Sequence, residues 1–134
     1  MKRTICLFCL ISLLACEKYP FLPDEYSETI LGNWQWVWTG CWNSGYYLSA
    51  DTADYTLKMT FNRKGKYYEY KNDTLILSSK YWFDLAEDHN GYKTYRLTID
   101  KTNEKFCVLL MADTLTLMEY KITDSCEKFY IKQK

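Results

Sequence analysis

Six cysteines and a single histidine are the side chains in this chain with the widest chemical range, so their neighbours decide which reactions are open to it. His89 follows Glu87 and Asp88 and stands close after Asp84. Carboxylates beside an imidazole could hold zinc or a harder cation. Zinc sites, however, use recurrent Cys and His spacings, and calcium loops place oxygen ligands at alternating positions; neither pattern occurs here. The plainer reading is a solvated acidic loop over Ala86 to Tyr92, with no metal site. No G-x-S-x-G elbow and no phosphate-cradling glycine loop is present. The remaining carboxylates are scattered among lysines, without the convergence that raises a pKa for acid–base work. The chain therefore reads as a non-enzyme without a cofactor.

The cysteines divide by position. Lys2 and Arg3 precede an apolar stretch from Ile5 to Leu14, and small Ala15 stands just before Cys16, the order of a cleaved secretory signal. The stretch falls short of the roughly 20 residues that span a bilayer. Leu13-Leu14-Ala15-Cys16 resembles the bacterial lipobox, in which cleavage precedes the cysteine and its thiol carries diacylglycerol. That resemblance implies a signal peptide over residues 1–15, lipid attachment at Cys16, and a membrane partner through the N-terminal lipid. The alternative is an ordinary signal in which Cys16 is incidental. Residues 16–30, with Pro20 and Pro23, read as a lipidated tether, with one helical turn around Asp24 to Leu31. Glu17 does not resemble the aspartate of an inner-membrane retention signal, which points to the outer membrane of the cell envelope.

Export implies oxidising surroundings, leaving Cys41, Cys107 and Cys126 to form one pair and one leftover thiol. Basic and acidic residues number 17 each, and losing Lys2 and Arg3 leaves a slightly acidic domain. No block of one sign interrupts the alternation, so no nucleic-acid partner is expected. Aromatics reach 18%, with 13 tyrosines, a composition that favours strands.

Residues 31–134 break into eight short alternating segments separated by turn residues. They are Asn33 to Gly40, Asp54 to Asn62, Lys66 to Lys71, Thr74 to Asp84, Lys93 to Asp100, Lys105 to Ala112, Asp113 to Tyr120 and Cys126 to Lys132. Short connections make consecutive strands antiparallel neighbours. The fold class expected is all-β, an eight-stranded antiparallel up-and-down barrel whose closure removes its edges, with a two-sheet sandwich as the alternative. Closure requires the first strand to pair with the last. Setting Trp34 opposite Gln133 brings Trp36 against Ile131 and Trp38 against Phe129 on the inner face, and Cys41 opposite Cys126 on the outer face. A Cys41–Cys126 disulfide follows, with Cys107 a free, half-buried thiol.

Gly32-Asn33-Trp34 resembles the G-x-W signature of lipocalins, in which the tryptophan plugs the closed end. Almost the whole domain is similar to the lipocalin-like lipoproteins of Gram-negative bacteria. The matching segments are Gly32 to Val37, Phe61 with Gly65 and Tyr67, Asp113 to Leu117, and Tyr130 with Lys132. The chain departs from that pattern where Gly40-Cys41 replaces a glycine pair and Asp124-Ser125-Cys126 replaces Asp-Gly, and both departures carry the proposed disulfide partners. The resemblance implies a calycin-type barrel and binding of a small apolar molecule, with Trp34 structural.

The candidate lining of such a barrel is Trp36, Trp38, Tyr55, Leu57, Met59, Tyr68, Tyr70, Tyr95, Phe106 and Phe129, joined by Leu97, Leu115 and Leu117. Two readings compete: an eight-stranded barrel holds one small ligand, or its own side chains fill it. Tryptophan and tyrosine would suit an amphipathic or aromatic guest. A different class of function is recognition of an envelope protein through the loop from Cys41 to Ala53, where Trp42, Tyr46, Tyr47 and Leu48 could anchor a partner or close the mouth as a lid.

Overall fold

The computed structural model describes residues 28–90, 92–121 and 125–134, so the signal, Cys16 and most of the tether lie outside the described residues. Of the proposed helical turn, Glu28, Thr29 and Ile30 form a turn and bend, and residues 24–27 are likewise outside.

Nine strands follow in order: β1 (Gly32–Cys41), β2 (Tyr46–Ser49), β3 (Leu57–Phe61), β4 (Lys66–Lys71), β5 (Thr74–His89), β6 (Tyr92–Ile99), β7 (Glu104–Met111), β8 (Thr114–Glu119) and β9 (Cys126–Lys132). Each from β3 to β9 pairs with its successor or predecessor, all antiparallel, and β1 pairs with β9, so the ring closes with eight strands. This is the all-β closed barrel expected from the spacing of alternating segments. Strand β2 lies outside that ring. Residues Gly32 to Gln35 of β1 pair with β3, whereas Trp38 to Cys41 pair with β2 on the same edge, because β9 occupies the other.

Two loop assignments are corrected. The stretch Cys41 to Ala53 is not a plain loop, since it turns at Trp42–Gly45 and returns as β2. Residues Ala86 to His89 continue β5 rather than forming a loop, pairing with β6 after an irregularity between Leu85 and Glu87. The side chains from Leu85 to Asp88 are half-buried or exposed, and a hairpin segment wet on both faces needs no apolar alternation.

The β1–β9 seam confirms half of the expected register and revises the other half. Trp38 pairs with Phe129 and Cys41 with Cys126, as expected, but Trp34 pairs with Lys132 and Trp36 with Tyr130. One extra residue, Val37, is inserted between Trp36 and Trp38. A bulge of one residue reverses the facing of everything beyond it. Trp34 and Trp36 are therefore buried, while Trp38 turns outward with Phe129, and the Cys41–Cys126 disulfide falls on the inward-facing side of the alternation instead of the outer one.

The core explains why the ring is stable. Trp34 and Ile30 are fully buried at one end, and the Trp34 Nε1–H donates to the Ile30 carbonyl at 2.8 Å, plugging the barrel where the chain enters. Lys132 straps this plug, its Nζ donating to the Thr29 carbonyl at 2.6 Å and lying 5.4 Å from the Trp34 ring centre. Phe61 packs edge-on against Tyr81 at 5.0 Å and against Tyr67 at 5.2 Å. Such offset aromatic contacts add to the gain from burying the rings.

Candidate functional site

Inside the barrel, strand pairing sorts the proposed lining. Met59, Tyr95, Leu97, Phe106, Leu115 and Leu117 join Trp36 in the buried core, and Leu57 packs half-buried against it. Tyr55 stacks on Trp36 at 5.7 Å and covers it, with Lys71 Nζ 4.4 Å from the Tyr55 ring centre. Tyr68 and Tyr70 are corrected. They pair with Thr60 and Lys58 on the outer face, whereas Tyr67 and Glu69 pair with Phe61 and Met59 and point inward. Trp38 and Phe129 are outside for the reason given by the bulge.

One void among these side chains is small. A cavity of about 60 Å³ remains between Tyr67, Glu69, Leu97, Phe106, Lys128 and Tyr130. Small-molecule sites usually occupy about 300 to 1,000 Å³, and a water's share is about 30 Å³. The cavity suits water. Its polar groups are arranged accordingly: Tyr67 OH donates to Glu69 Oε2 at 3.2 Å. Burial, reinforced by the Glu69 charge, holds the Tyr67 phenol well above its ordinary value, and burial acts the same way on Tyr130, so both remain protonated donors. No buried side-chain nitrogen or oxygen among the described residues lacks a partner.

The most apolar of the described concavities lies outside the ring, on the hairpin formed by β1 and β2. A cleft of about 250 Å³ is lined by Trp38, Gly40, Cys41, Trp42, Gly45, Tyr46 and Tyr47, with almost no polar surface. Its geometry follows from four local features. The bulge at Val37 turns Trp38 outward, where its ring stacks on Phe129 at 5.5 Å and meets Tyr47 at 6.0 Å. Gly40 makes room, since a Cβ there would meet Trp38 Cζ3 at 3.2 Å. Gly45, at φ 67°, takes the left-handed conformation that the turn needs. The Cys41–Cys126 disulfide pins the turn end of the hairpin to β9. Beyond this clamp Trp42 is 78% exposed, Tyr46 51% and Tyr47 64%. Flat aromatic faces on a fixed hairpin can stack on a planar or amphipathic molecule.

The acidic group around His89 is accounted for in part. Asp84 binds Arg96 through two hydrogen bonds of 2.8 and 2.7 Å on the outer face, which occupies both of its oxygens. No cluster of three or more His, Cys, Asp or Glu able to hold a metal is present among the described residues. Cys107 is free and half-buried, and burial pushes its thiol pKa up, away from the reactive thiolate.

No protein-family model matches this chain, and no curated protein matches it either. The closed eight-stranded antiparallel barrel is compatible with a lipocalin-like fold, and that is as far as architecture reaches. Of the cleft residues, Trp42, Tyr46 and Tyr47 were visible in the sequence as loop aromatics. Trp38 was assigned to the interior, and only the inserted Val37 places it here.

Proposed function

We propose that this protein is a lipid-anchored, lipocalin-like binding protein of the outer membrane that carries out no catalysis. Its site is the aromatic cleft at the disulfide end, and its ligand is a small amphipathic or aromatic molecule. The observation that carries this reading is the wall of the cleft: about 250 Å³ faced by Trp38, Trp42, Tyr46 and Tyr47 with almost no polar surface, whereas the other described concavities have mixed polar walls. The anchor is supported by the lipobox-like run ending at Cys16, and the envelope location by the disulfide.

Mass spectrometry of protein purified from its native membrane tests both halves, by reporting lipid on Cys16 and any co-purifying compound. Titration of amphipathic aromatics should quench tryptophan fluorescence, and Trp42→Ala should weaken binding roughly tenfold, the scale of one lost stacking contact. Binding that survives both Trp42→Ala and Tyr47→Ala would rule out the cleft.

The exposure of Trp42, Tyr46 and Tyr47 also favours a second reading, in which the same hairpin recognises an envelope protein rather than a small molecule. Recovery of one stoichiometric protein that Trp42→Ala releases, with no small ligand present, would select it.

A further inference from the structure

Strands β7, β8 and β9 carry apolar residues on both faces. Their inward residues Val108, Leu115, Leu117 and Tyr130 are buried in the core. On the outer face, cross-strand pairing sets Leu109 beside Thr116 and Phe129 in one row, and Met111 beside Thr114 and Ile131 in the next. None of these six carries a charge. The first charge on this face is Glu127, in the following row toward the disulfide. Leu109 is 48% exposed, Met111 61% and Ile131 41%. An antiparallel sheet with one face on its core ordinarily gives the other face to water, with polar side chains.

The position of this face relative to the tether gives it an occupant. The Met111–Ile131 row lies at the end of the barrel where the chain enters. There Lys132 donates its backbone N–H to the Asp113 carbonyl at 2.8 Å and its Nζ to the Thr29 carbonyl at 2.6 Å. Cys16 stands twelve residues before Glu28, a reach of at most about 40 Å even when fully extended. We propose that the outer face of β7, β8 and β9 lies on the bilayer to which the lipid at Cys16 holds the protein. The inference rests on the anchored reading above and adds an orientation to it. The barrel lies with its Met111–Ile131 row in the interfacial region, leaving the aromatic cleft at the disulfide end facing water.

A second copy of the chain fits this face less well. Three strands about 4.8 Å apart and five residues long cover only about 250 Å², roughly a third of what each partner of a stable protein pair contributes. A bilayer needs no such area, because the anchor converts a weak contact into an intramolecular one at high effective concentration.

Hydroxyl-radical footprinting of the native protein in phospholipid vesicles tests the orientation, with the denatured chain setting the unprotected rate. Met111 should be modified at least about fivefold more slowly on vesicles, while Trp42 stays near the denatured rate and Met59, buried in the core, is protected throughout. The same digest reports the lipid on Cys16. Lipid present with Met111 modified within twofold of the denatured rate overturns the orientation alone; lipid absent overturns the anchor and the orientation with it. Protection that disappears when the protein is diluted tenfold into the same vesicles assigns the face to a second copy and also overturns the proposal.

Discussion

Replacing Cys41 and Cys126 together by serine tests the seam on which the ring and the cleft both depend. The bond joins residues 85 positions apart. Cross-linking a loop of that length removes chain entropy from the unfolded state worth about 4.6 kcal/mol at 25 °C, and measured losses for native bridges run from about 2 to 5 kcal/mol. Unfolding entropy near 2.1 cal/mol/K per residue, over roughly 100 residues, converts this range to a fall of about 10 to 24 °C in Tm. The folded state should survive, since β1 and β9 keep their ladder from Trp34–Lys132 to Gly40–Glu127. Thermal unfolding followed by circular dichroism is the assay: the spectrum at 20 °C should match the parent, and the parent in reductant should unfold at the temperature of the variant. Trp38 should also report the change, because its stack on Phe129 lies beside the lost bond. A drop equivalent to less than about 1 kcal/mol would refute the argument, since the bridge would then constrain no long loop in the unfolded chain.

Trp34→Phe keeps an aromatic plug but removes the donor to the Ile30 carbonyl, leaving that buried acceptor unpaired; urea unfolding should show a loss of about 1 to 3 kcal/mol, and no loss would remove the plug from the account. Alkaline titration gives a third check. Burial pushes the Tyr81 phenol up to about 12 and raises those of Tyr67 and Tyr130 as well. Raised folded values mean that their contribution to stability is complete below the unfolded value near 10 and is lost as pH climbs through the folded ones. Phenolate absorbance should therefore show these three ionising late, together with unfolding, and Tyr81→Phe should reduce that late step by one. A single reversible transition centred near pH 10 for every tyrosine would contradict the burial.

Closure was legible because it depends on pattern. Period-two alternation in Leu57, Met59 and Phe61, turn residues at even spacing, and two cysteines at the ends of the first and last strands together point to a ring with its seam at β1 and β9, ahead of a two-sheet sandwich. The facing of individual aromatics was not. In Tyr67-Tyr68-Glu69-Tyr70 an aromatic stands on each side of the strand, so alternation within the segment cannot say which side is inside. Only pairing with β3, where Met59 and Phe61 are committed to the core, turns Tyr67 and Glu69 inward.

What the chain by itself pointed to is the number of strands in the ring and their order, because hydrophobic period and turn chemistry are local and add along the sequence; the Cys41–Cys126 pairing was legible too, although the register through Trp34 and Trp36 that led to it was off by one. What only tertiary structure decided is where binding surface lies. A single inserted residue, Val37, leaves no mark in a run of alternating tryptophans, yet opposite β9 it reverses the strand, fills the ring without Trp38 and gives that tryptophan to the outer cleft. Facing is a relation between two strands, and a relation of that kind is fixed only when both are in place.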